Sequence, residues 1–167
     1  MLRRAYQFTK NKFFDRLTKM KAEKWFRIIM KYEEICVGNY YSLKKTITEQ
    51  MVQKFADFSG DYNPVHMDDH YCREHGLEAR IVHGMLVLSF LSALIGMYLP
   101  GEGTVWMSQN IDFISPARID DTLDITGEVI DKTDSNALGL KIIKLKISIK
   151  NQFGSMIVKG NVKVTLK

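Results

Sequence analysis

The densest group of reactive side chains lies at residues 59–66, which read Ser-Gly-Asp-Tyr-Asn-Pro-Val-His. Asp61 and His66 place a carboxylate and an imidazole five residues apart, and both can meet one water molecule if the chain turns between them. Pro64 fixes its own φ and disfavours helical conformation at Asn63, so that turn is stiff. Such a pair is typical of general acid–base chemistry, because each group tunes the pKa of the other. The same residues also fit a plain turn in which Asp61 caps and His66 packs.

A second feature, Ile-Val-His-Gly-Met at residues 81–85, opens an apolar stretch that we interpret as a helix. The start of a helix has unpaired backbone N–H groups and a partial positive charge, which suit a developing enolate oxygen. Gly84 lets a ligand approach that backbone closely. Alternatively, the glycine only relieves crowding where the helix meets the sheet.

Together these two features resemble the MaoC-like family of (R)-specific enoyl-CoA hydratases. Residues 55–68 resemble its hydratase motif, and residues 81–85 stand at the family's spacing from the histidine. The later segment 103–118 is similar too. The resemblance runs from about residue 37 to the C-terminus and leaves residues 1–32 without a counterpart. It implies a hot-dog fold and the reversible addition of water to trans-2-enoyl thioesters, giving (3R)-hydroxyacyl thioesters.

The resemblance also implies a role for each matching residue. Asp61 and His66 would hold and activate the water, while Asn63 would support their loop. The backbone N–H of Gly84 would polarise the thioester carbonyl. We assign three further residues to substrate binding, namely Ser92, Met85 and His83. For the histidine, a structural ring bonded to nearby backbone is the alternative. No metal or redox cofactor is implied, because coenzyme A or phosphopantetheine belongs to the substrate.

Two other functions stay open. The first is dehydration of (3R)-hydroxyacyl groups, which is the reverse reaction, with the acyl group carried by acyl carrier protein instead of coenzyme A. A non-catalytic acyl-thioester binding protein on the same fold is the other, and the intact Asp61, Asn63 and His66 argue against it. In either case we expect a homodimer, since a single sheet leaves an edge strand open for pairing.

Candidate metal ligands cluster just after the motif; they are His66, Asp68, Asp69, His70, Cys72 and His75. We predict no metal site, because the sequence has no cysteine pair or second ligand cluster, and closed zinc sites need four ordered ligands. The sequence also contains no Gly-x-Ser-x-Gly elbow for serine hydrolysis and no glycine-rich phosphate loop.

The flanking pattern predicts the elements that position these residues. Thr48 can cap a helix over residues 49–56, Gly60 can end it, and the motif loop with a short helix follows up to residue 77. An apolar helix over about 83–98 stops at Pro100. A first strand is expected at 40–47. Alternating residues predict further strands at 105–113, 123–129, 143–150 and 158–166.

Short turns between these strands imply an antiparallel sheet with one wet face. The helix at 83–98 is the element long and apolar enough to cover the other face. We therefore predict an α+β hot-dog domain, a curved antiparallel sheet wrapped around a long central helix. The apolar run at 85–99 has 15 residues, fewer than the roughly 20 that a membrane span needs, so we interpret it as core.

Charge is distributed unevenly along the 167 residues. Residues 1–32 carry a net charge of +8, and residues 33–167 carry −3, so the net charge of +5 comes from the N-terminal segment. Because residues 33–167 are net negative, their charge does not favour binding to nucleic acid. Only two cysteines occur, without a disulfide framework, which predicts a reducing, cytoplasmic location.

Residues 1–32 are predicted to form a basic amphipathic extension ahead of a hydratase domain at 33–167. We favour a helix that docks on a membrane surface or an acidic carrier protein. Its early arginines and few acids also fit a targeting segment for the mitochondrial matrix, although serine is absent from it. Packing of this segment on the body is the third interpretation.

Overall fold

A computed structural model describes residues 30–135 and 139–166 of the chain. After a 3-10 turn at Tyr32–Glu34, these residues form helices and strands. The helices are α1 (Glu49–Ser59), α2 (Pro64–Met67), α3 (Asp69–Glu74) and α4 (Gly84–Met97). The strands are β1 (Tyr40–Thr46), β2 (Thr104–Phe113), β3 (Thr122–Ser135), β4 (Leu140–Lys150) and β5 (Met156–Leu166).

The strands pair in one antiparallel sheet of order β1-β3-β4-β5-β2. Each of the four inward side chains of β4 is at most 1% exposed, as the period of two predicts; they are Ile143, Leu145, Ile147 and Ile149. On β3, Ile125 and Val129 lie opposite two of them and are equally buried. The predicted antiparallel sheet with one buried face is therefore confirmed.

The buried face of the sheet packs on the central helix α4. Six side chains of the helix are buried, namely Leu86, Val87, Leu88, Leu91, Leu94 and Ile95. Gly127 of β3 permits a close approach, because a Cβ there would lie 2.9 Å from Cδ2 of Leu94. A single antiparallel sheet packed around one apolar helix confirms the predicted α+β hot-dog fold.

One stripe of α4 stays exposed, so the prediction that the whole run 85–99 is core needs correction. The exposed residues of the helix are Met85, Ser89, Ser92, Ala93 and Gly96. Most of them are small residues, whose weak hydropathy gives little sign of which side faces solvent. Across the described residues, no helix is long and apolar enough to cross a membrane.

The largest differences from the sequence prediction concern the short helix after the motif loop and the end of β3. The single short helix expected before residue 77 is two helices, because Asp68 caps α3 by accepting from the N–H groups of His70 and Tyr71. Strand β3 continues to Ser135, beyond the predicted end at residue 129. A register shift after Val129 breaks the alternation there, so the charged continuation does not look like a strand in the sequence.

The first described residues already lie against the body. Ile35 is 1% exposed, and Met30 and Tyr32 pack against the core. The ammonium of Lys132 donates to the carbonyl oxygen of Tyr32 at 2.7 Å and also to that of Ile35. The amphipathic helix predicted for residues 1–32 lies almost wholly outside the described residues, and the domain boundary at residue 33 stays a prediction.

Candidate active site

Helix α1 brings the chain to the motif loop. Its predicted N-cap is confirmed, since Oγ1 of Thr48 accepts from the N–H of Met51 at 3.3 Å. Gly60 ends the helix with a left-handed φ of 77°, and its N–H donates to the carbonyl of Ala56 at 2.8 Å. Because this conformation turns the chain off the helix axis, Asp61 starts the loop immediately after a well-defined helix end.

Side chains of the loop itself hold it in shape. Oδ1 of Asp61 accepts from the N–H of Asn63 at 3.2 Å. Oδ1 of Asn63 in turn caps α2 by accepting from the N–H of Val65 at 3.2 Å. Pro64 occupies the first turn of α2, where its missing N–H costs no helical hydrogen bond. These contacts leave the second carboxylate oxygen of Asp61 available to face His66.

Asp61 and His66 face each other across a gap. Oδ2 of Asp61 lies 3.9 Å from Nε2 of His66, which is too far for a direct hydrogen bond. Nδ1 of His66 lies 2.8 Å from the carbonyl oxygen of Ile81, which can only accept, so Nδ1 carries the proton of the neutral ring. Nε2 then presents its lone pair toward the carboxylate. Both groups are acceptors, and one water between them can donate a hydrogen to each.

His83 lies behind this pair. Its side chain is buried, its Nε2 donates to the main-chain carbonyl of Asp61 at 2.9 Å, and its ring centroid is 3.9 Å from that of His66. Nδ1 of His83 is buried and has no hydrogen-bond partner among the described residues. The ring is 2% exposed, and the assignment of His83 to substrate binding stays a prediction. The bond from its Nε2 to the carbonyl of Asp61 matches the alternative interpretation, a structural ring bonded to nearby backbone.

The same three side chains are the group within the described residues that could offer ligands to a metal ion. Ligand atoms of Asp61, His66 and His83 lie within 4.8 Å of one another. The centroids of the two imidazole rings are 3.9 Å apart with the planes tilted by 33°, and each ring already uses one nitrogen for a main-chain carbonyl. His70 and His75, from the other candidate cluster, bond to groups on their own short helix. The prediction that no metal is needed stays a prediction.

Gly84 begins α4 beside His66. Within the described residues its N–H has no hydrogen-bond partner, as expected for the first residue of a helix. His66 and Gly84 line a common cavity of about 310 Å³ whose other walls are mainly apolar and include Val87, Phe113 and Ile157. A Cβ at position 84 would lie 2.8 Å from Cε1 of Phe113, so a larger residue there requires that half-exposed ring to shift. The cavity therefore combines a base, a free N–H donor and an apolar wall.

Two predicted substrate contacts lie elsewhere in this single chain. Met85 is 58% exposed and Ser92 is also exposed, and neither lines the cavity that holds His66 and Gly84. Both belong to the exposed stripe of α4. Their assignment to substrate binding stays a prediction, and a contact with substrate would need the stripe to be covered.

Sequence reasoning missed the carbonyl group that fixes the orientation of His66. The oxygen belongs to the main chain of Ile81, fifteen residues further on, and a main-chain acceptor leaves no trace in residue type. It also missed Phe113 as the wall over Gly84, although that residue lies in the segment similar to the family. A glycine facing a bulky aromatic across the fold is visible only once the strand and helix are placed.

Comparison with known proteins agrees with this arrangement. A family model described as MaoC like domain matches residues 38–151. The (R)-specific enoyl-CoA hydratase of Rhodospirillum rubrum is 40% identical over 99 residues, which cover 59% of this chain and 69% of the relative. The (R)-specific enoyl-CoA hydratase of Aeromonas caviae is 32% identical over 137 residues, covering 82% and 99%.

A solved structure and a carrier-protein enzyme extend the comparison. The solved structure of the (R)-hydratase from A. caviae superimposes with a TM-score of 0.75 at 32% identity, and the match covers 81% of this chain and 99% of that one. The mitochondrial 3-hydroxyacyl-[acyl-carrier-protein] dehydratase of Arabidopsis thaliana is 36% identical over 87 residues, which cover 52% of this chain and 51% of the relative. Both a hydratase and a dehydratase are thus among the similar proteins.

Proposed function

Because the chain belongs to the MaoC-like domain family, we propose that it is a hydro-lyase that adds water reversibly to trans-2-enoyl thioesters and gives (3R)-hydroxyacyl thioesters. The observation that carries this proposal is the gap of 3.9 Å between Oδ2 of Asp61 and Nε2 of His66, next to the free N–H of Gly84. A water beside these two atoms can hydrogen-bond to both, and the cavity lined by His66 and Gly84 fits an acyl chain.

In the proposed reaction, the water donates its hydrogens to the carboxylate of Asp61 and the bare nitrogen of His66. Its oxygen attacks C3 of the enoyl group while the pair takes one proton from it. The thioester oxygen becomes enolate-like and accepts a hydrogen bond from the N–H of Gly84 at the positive end of α4. A proton returned from the pair to C2 completes the addition. Either member of the pair can take the proton from the water, because both present an acceptor atom to it.

The substrate's acyl chain can be carried as a thioester by coenzyme A or by acyl carrier protein. The name of the R. rubrum relative contains coenzyme A, and the name of the Arabidopsis relative contains acyl carrier protein. We favour the coenzyme A thioester, because the A. caviae hydratase is aligned over 82% of this chain and 99% of its own length, whereas the Arabidopsis dehydratase is aligned over 52% and 51%. Dehydration on acyl carrier protein is the second candidate. Neither reaction requires a metal or redox cofactor.

The experiment that tests the function follows the loss of enoyl-thioester absorbance with crotonyl-CoA and, separately, with the crotonyl thioester of acyl carrier protein. Faster turnover of the first supports the hydratase, and faster turnover of the second supports the carrier-protein dehydratase. Chiral analysis of the product should give the (3R) isomer. Binding of both substrates without turnover would instead support a non-catalytic thioester-binding protein.

We also propose a homodimer that forms through the β2 edge of the sheet. The two edge strands differ in character: β1 exposes Lys44 and Lys45, whereas β2 exposes Val105 and Met107, each 43% accessible. Lysines protect an edge from pairing, and exposed apolar residues invite it. Met85, on the exposed stripe of α4, would be covered if a second copy packed over the same side.

The remaining proposals concern location and residues 1–32. A cytoplasmic protein fits the cysteine content, and the mitochondrial matrix is the alternative if residues 1–32 act as a targeting segment. We propose that this basic segment binds a membrane surface or an acidic carrier protein. Deleting it should leave kcat on a short acyl-CoA nearly unchanged and weaken that association in a salt-dependent way.

A further inference from the structure

The catalytic pair depends on an acceptor supplied by the segment at residues 79–82, which joins α3 to α4. The carbonyl of Ile81 accepts from Nδ1 of His66 at 2.8 Å, and the N–H of Ile81 donates to the carbonyl of Val65 at 2.9 Å. The next residue, Val82, donates to the carbonyl of Ala117 at 2.9 Å. The position of the Ile81 carbonyl relative to His66 is therefore set by how firmly this segment is held.

Arg80 anchors the segment to two helices at once. Its N–H donates to Oδ1 of Asp69 at 3.0 Å, and its Nε lies 3.2 Å from Oδ2 of the same carboxylate. Its Nη2 donates to Oε1 of Glu49 at 2.8 Å. Asp69 begins α3 and Glu49 begins α1, the helix that leads to the motif loop. The Arg80 side chain is 18% exposed, whereas Asp69 is 43% and Glu49 70% exposed, so the contact with Asp69 is the better shielded of the two.

A second arginine holds the same segment from the opposite side. Nη1 of Arg118 donates to the carbonyl of Arg80 at 3.1 Å and also to that of Ala79. The N–H of Arg118 donates to Oδ2 of the buried Asp121 at 2.8 Å, which ties it to the start of β3. The segment thus carries guanidinium contacts at consecutive residues just before the carbonyl that His66 uses.

The charge pairing at Asp69 is consistent with a firm anchor. The pKa of Asp69 lies below its usual value, chiefly because its carboxylate accepts the N–H of Arg80 and lies beside that guanidinium. Nη2 of Arg80 donates to Glu49, whereas the buried Nε lies 3.2 Å from Asp69 without hydrogen-bond geometry, so the side chain contacts Asp69 through charge; lysine, with one ammonium group, cannot place charge at both points in this way. Arg80 is also directly bonded through the chain to Ile81, so any shift of its backbone moves that carbonyl.

We propose that Arg80 is a positioning residue whose contacts with Asp69 and Glu49 hold the Ile81 carbonyl against Nδ1 of His66. The fixed carbonyl keeps the proton on Nδ1 and keeps the lone pair of Nε2 turned toward the water site beside Asp61. Without the anchor, the ring would sample both neutral tautomers, and the fraction with a bare Nε2 in place would fall. The catalytic consequence rests on the proposed function, but the tautomer does not.

The test is the ¹⁵N NMR spectrum of the histidine rings at a pH where they are neutral. The chain contains only four histidines, so His66 can be assigned by its loss in His66→Gln. We expect the wild type to show the Nδ1–H tautomer at His66. In Arg80→Gln the two nitrogen shifts of His66 should move toward each other, as expected for mixed tautomers, while His83 stays unchanged. Lysine makes a point contact only, so Arg80→Lys should be intermediate.

Turnover of crotonyl-CoA gives the second reading. Arg80→Gln should lower kcat roughly tenfold and leave KM nearly unchanged, because an ångström of misplacement can cost about a hundredfold and this shift is smaller. Arg73→Gln, at an exposed arginine on α3, is the matched control. It should leave both the His66 tautomer and kcat at their wild-type values. If Arg80→Gln does not fold, Asp69→Asn carries the test with the same expected direction.

Two results would overturn the proposal. In both, a folded Arg80→Gln or Asp69→Asn protein keeps the wild-type tautomer at His66. If kcat is also unchanged, Arg80 has no positioning role, and if kcat falls, Arg80 acts on turnover by a route other than the tautomer. A tautomer shift in a chain that hydrates no enoyl thioester would support the anchor and count against the proposed function, so the two failures are distinguishable.

Discussion

His83 donates a hydrogen bond from Nε2 to the main-chain carbonyl of Asp61 at 2.9 Å. The same ring lies against that of His66, with 3.9 Å between centroids, and against that of Phe55 at 5.0 Å. His83 also precedes Gly84 as the N-cap residue of α4. One buried ring therefore connects the loop that carries the carboxylate, the helix that carries the imidazole and the helix start that offers the N–H.

Replacing His83 by phenylalanine should lower kcat by roughly ten- to a hundredfold, since misplacing a catalytic group by an ångström costs about this much. Phenylalanine keeps the packed ring and removes the donor to Asp61. The stability should change by no more than about 1 kcal/mol, because the variant loses one hydrogen bond but also one buried nitrogen without a partner. Steady-state kinetics and thermal unfolding measure both quantities. Wild-type turnover in His83→Phe would show that this hydrogen bond does not position Asp61.

Gly84→Ala should reduce both stability and kcat/KM. The new Cβ would lie 2.8 Å from Cε1 of Phe113, so this half-exposed ring must shift from its place beside the helix start. The Cβ would also push the ring into the cavity where the acyl chain is proposed to bind. The matched variant Gly84→Ala/Phe113→Leu removes the clash but keeps the N–H donor, so it should recover most of the activity. If the double variant stays as inactive as the single one, the steric explanation fails.

Asn63→Ala should destabilise the protein by about 1 kcal/mol, the usual cost of losing a helix N-cap. It should also lower kcat, because the capped helix α2 carries His66. Asn63→Asp is the control, since its side chain can still accept from the N–H of Val65. Chemical unfolding and turnover of both variants check the prediction. Equal stability of the alanine and aspartate variants would contradict it.

Met107→Lys should convert the proposed dimer to a monomer. The substitution places a charge on the exposed β2 edge, whereas Lys45→Gln changes the β1 edge as the control and should leave the dimer intact. Light scattering at several protein concentrations distinguishes the two states. A wild-type protein that is monomeric and fully active at all concentrations would refute the dimer, and a monomer produced only by the control would place the interface on β1.

The sequence predicts the motif loop well because its geometry is local. Gly60 ends a helix, Asn63 caps the next one, and Pro64 stiffens the turn between them, so the approach of Asp61 and His66 follows from residue types within a few positions. The strands are equally predictable where apolar and polar residues alternate. Beyond Val129 the alternation is interrupted, and the strand there is visible only from its pairing with β4.

What the sequence could not provide are the contacts between distant segments. The carbonyl of Ile81 is chemically the same as any other, and only the fold brings it to His66. Arg80 reaches Glu49 across 31 positions and Arg118 reaches Arg80 across 38, distances over which residue spacing carries no signal. The exposed stripe of α4 is hidden for another reason, since small residues such as Ala93 and Gly96 are compatible with either face.

The most direct test of the catalytic pair is kcat for crotonyl-CoA in wild type, Asp61→Asn and His66→Gln, with folding verified for each. Asp61 is 50% exposed and His66 lies at the edge of the cavity, so both variants should remain folded. We expect kcat to fall by roughly a hundredfold or more in each variant, the scale typical of a positioned acid–base group. A folded variant of either residue that hydrates crotonyl-CoA at nearly the wild-type rate would contradict it.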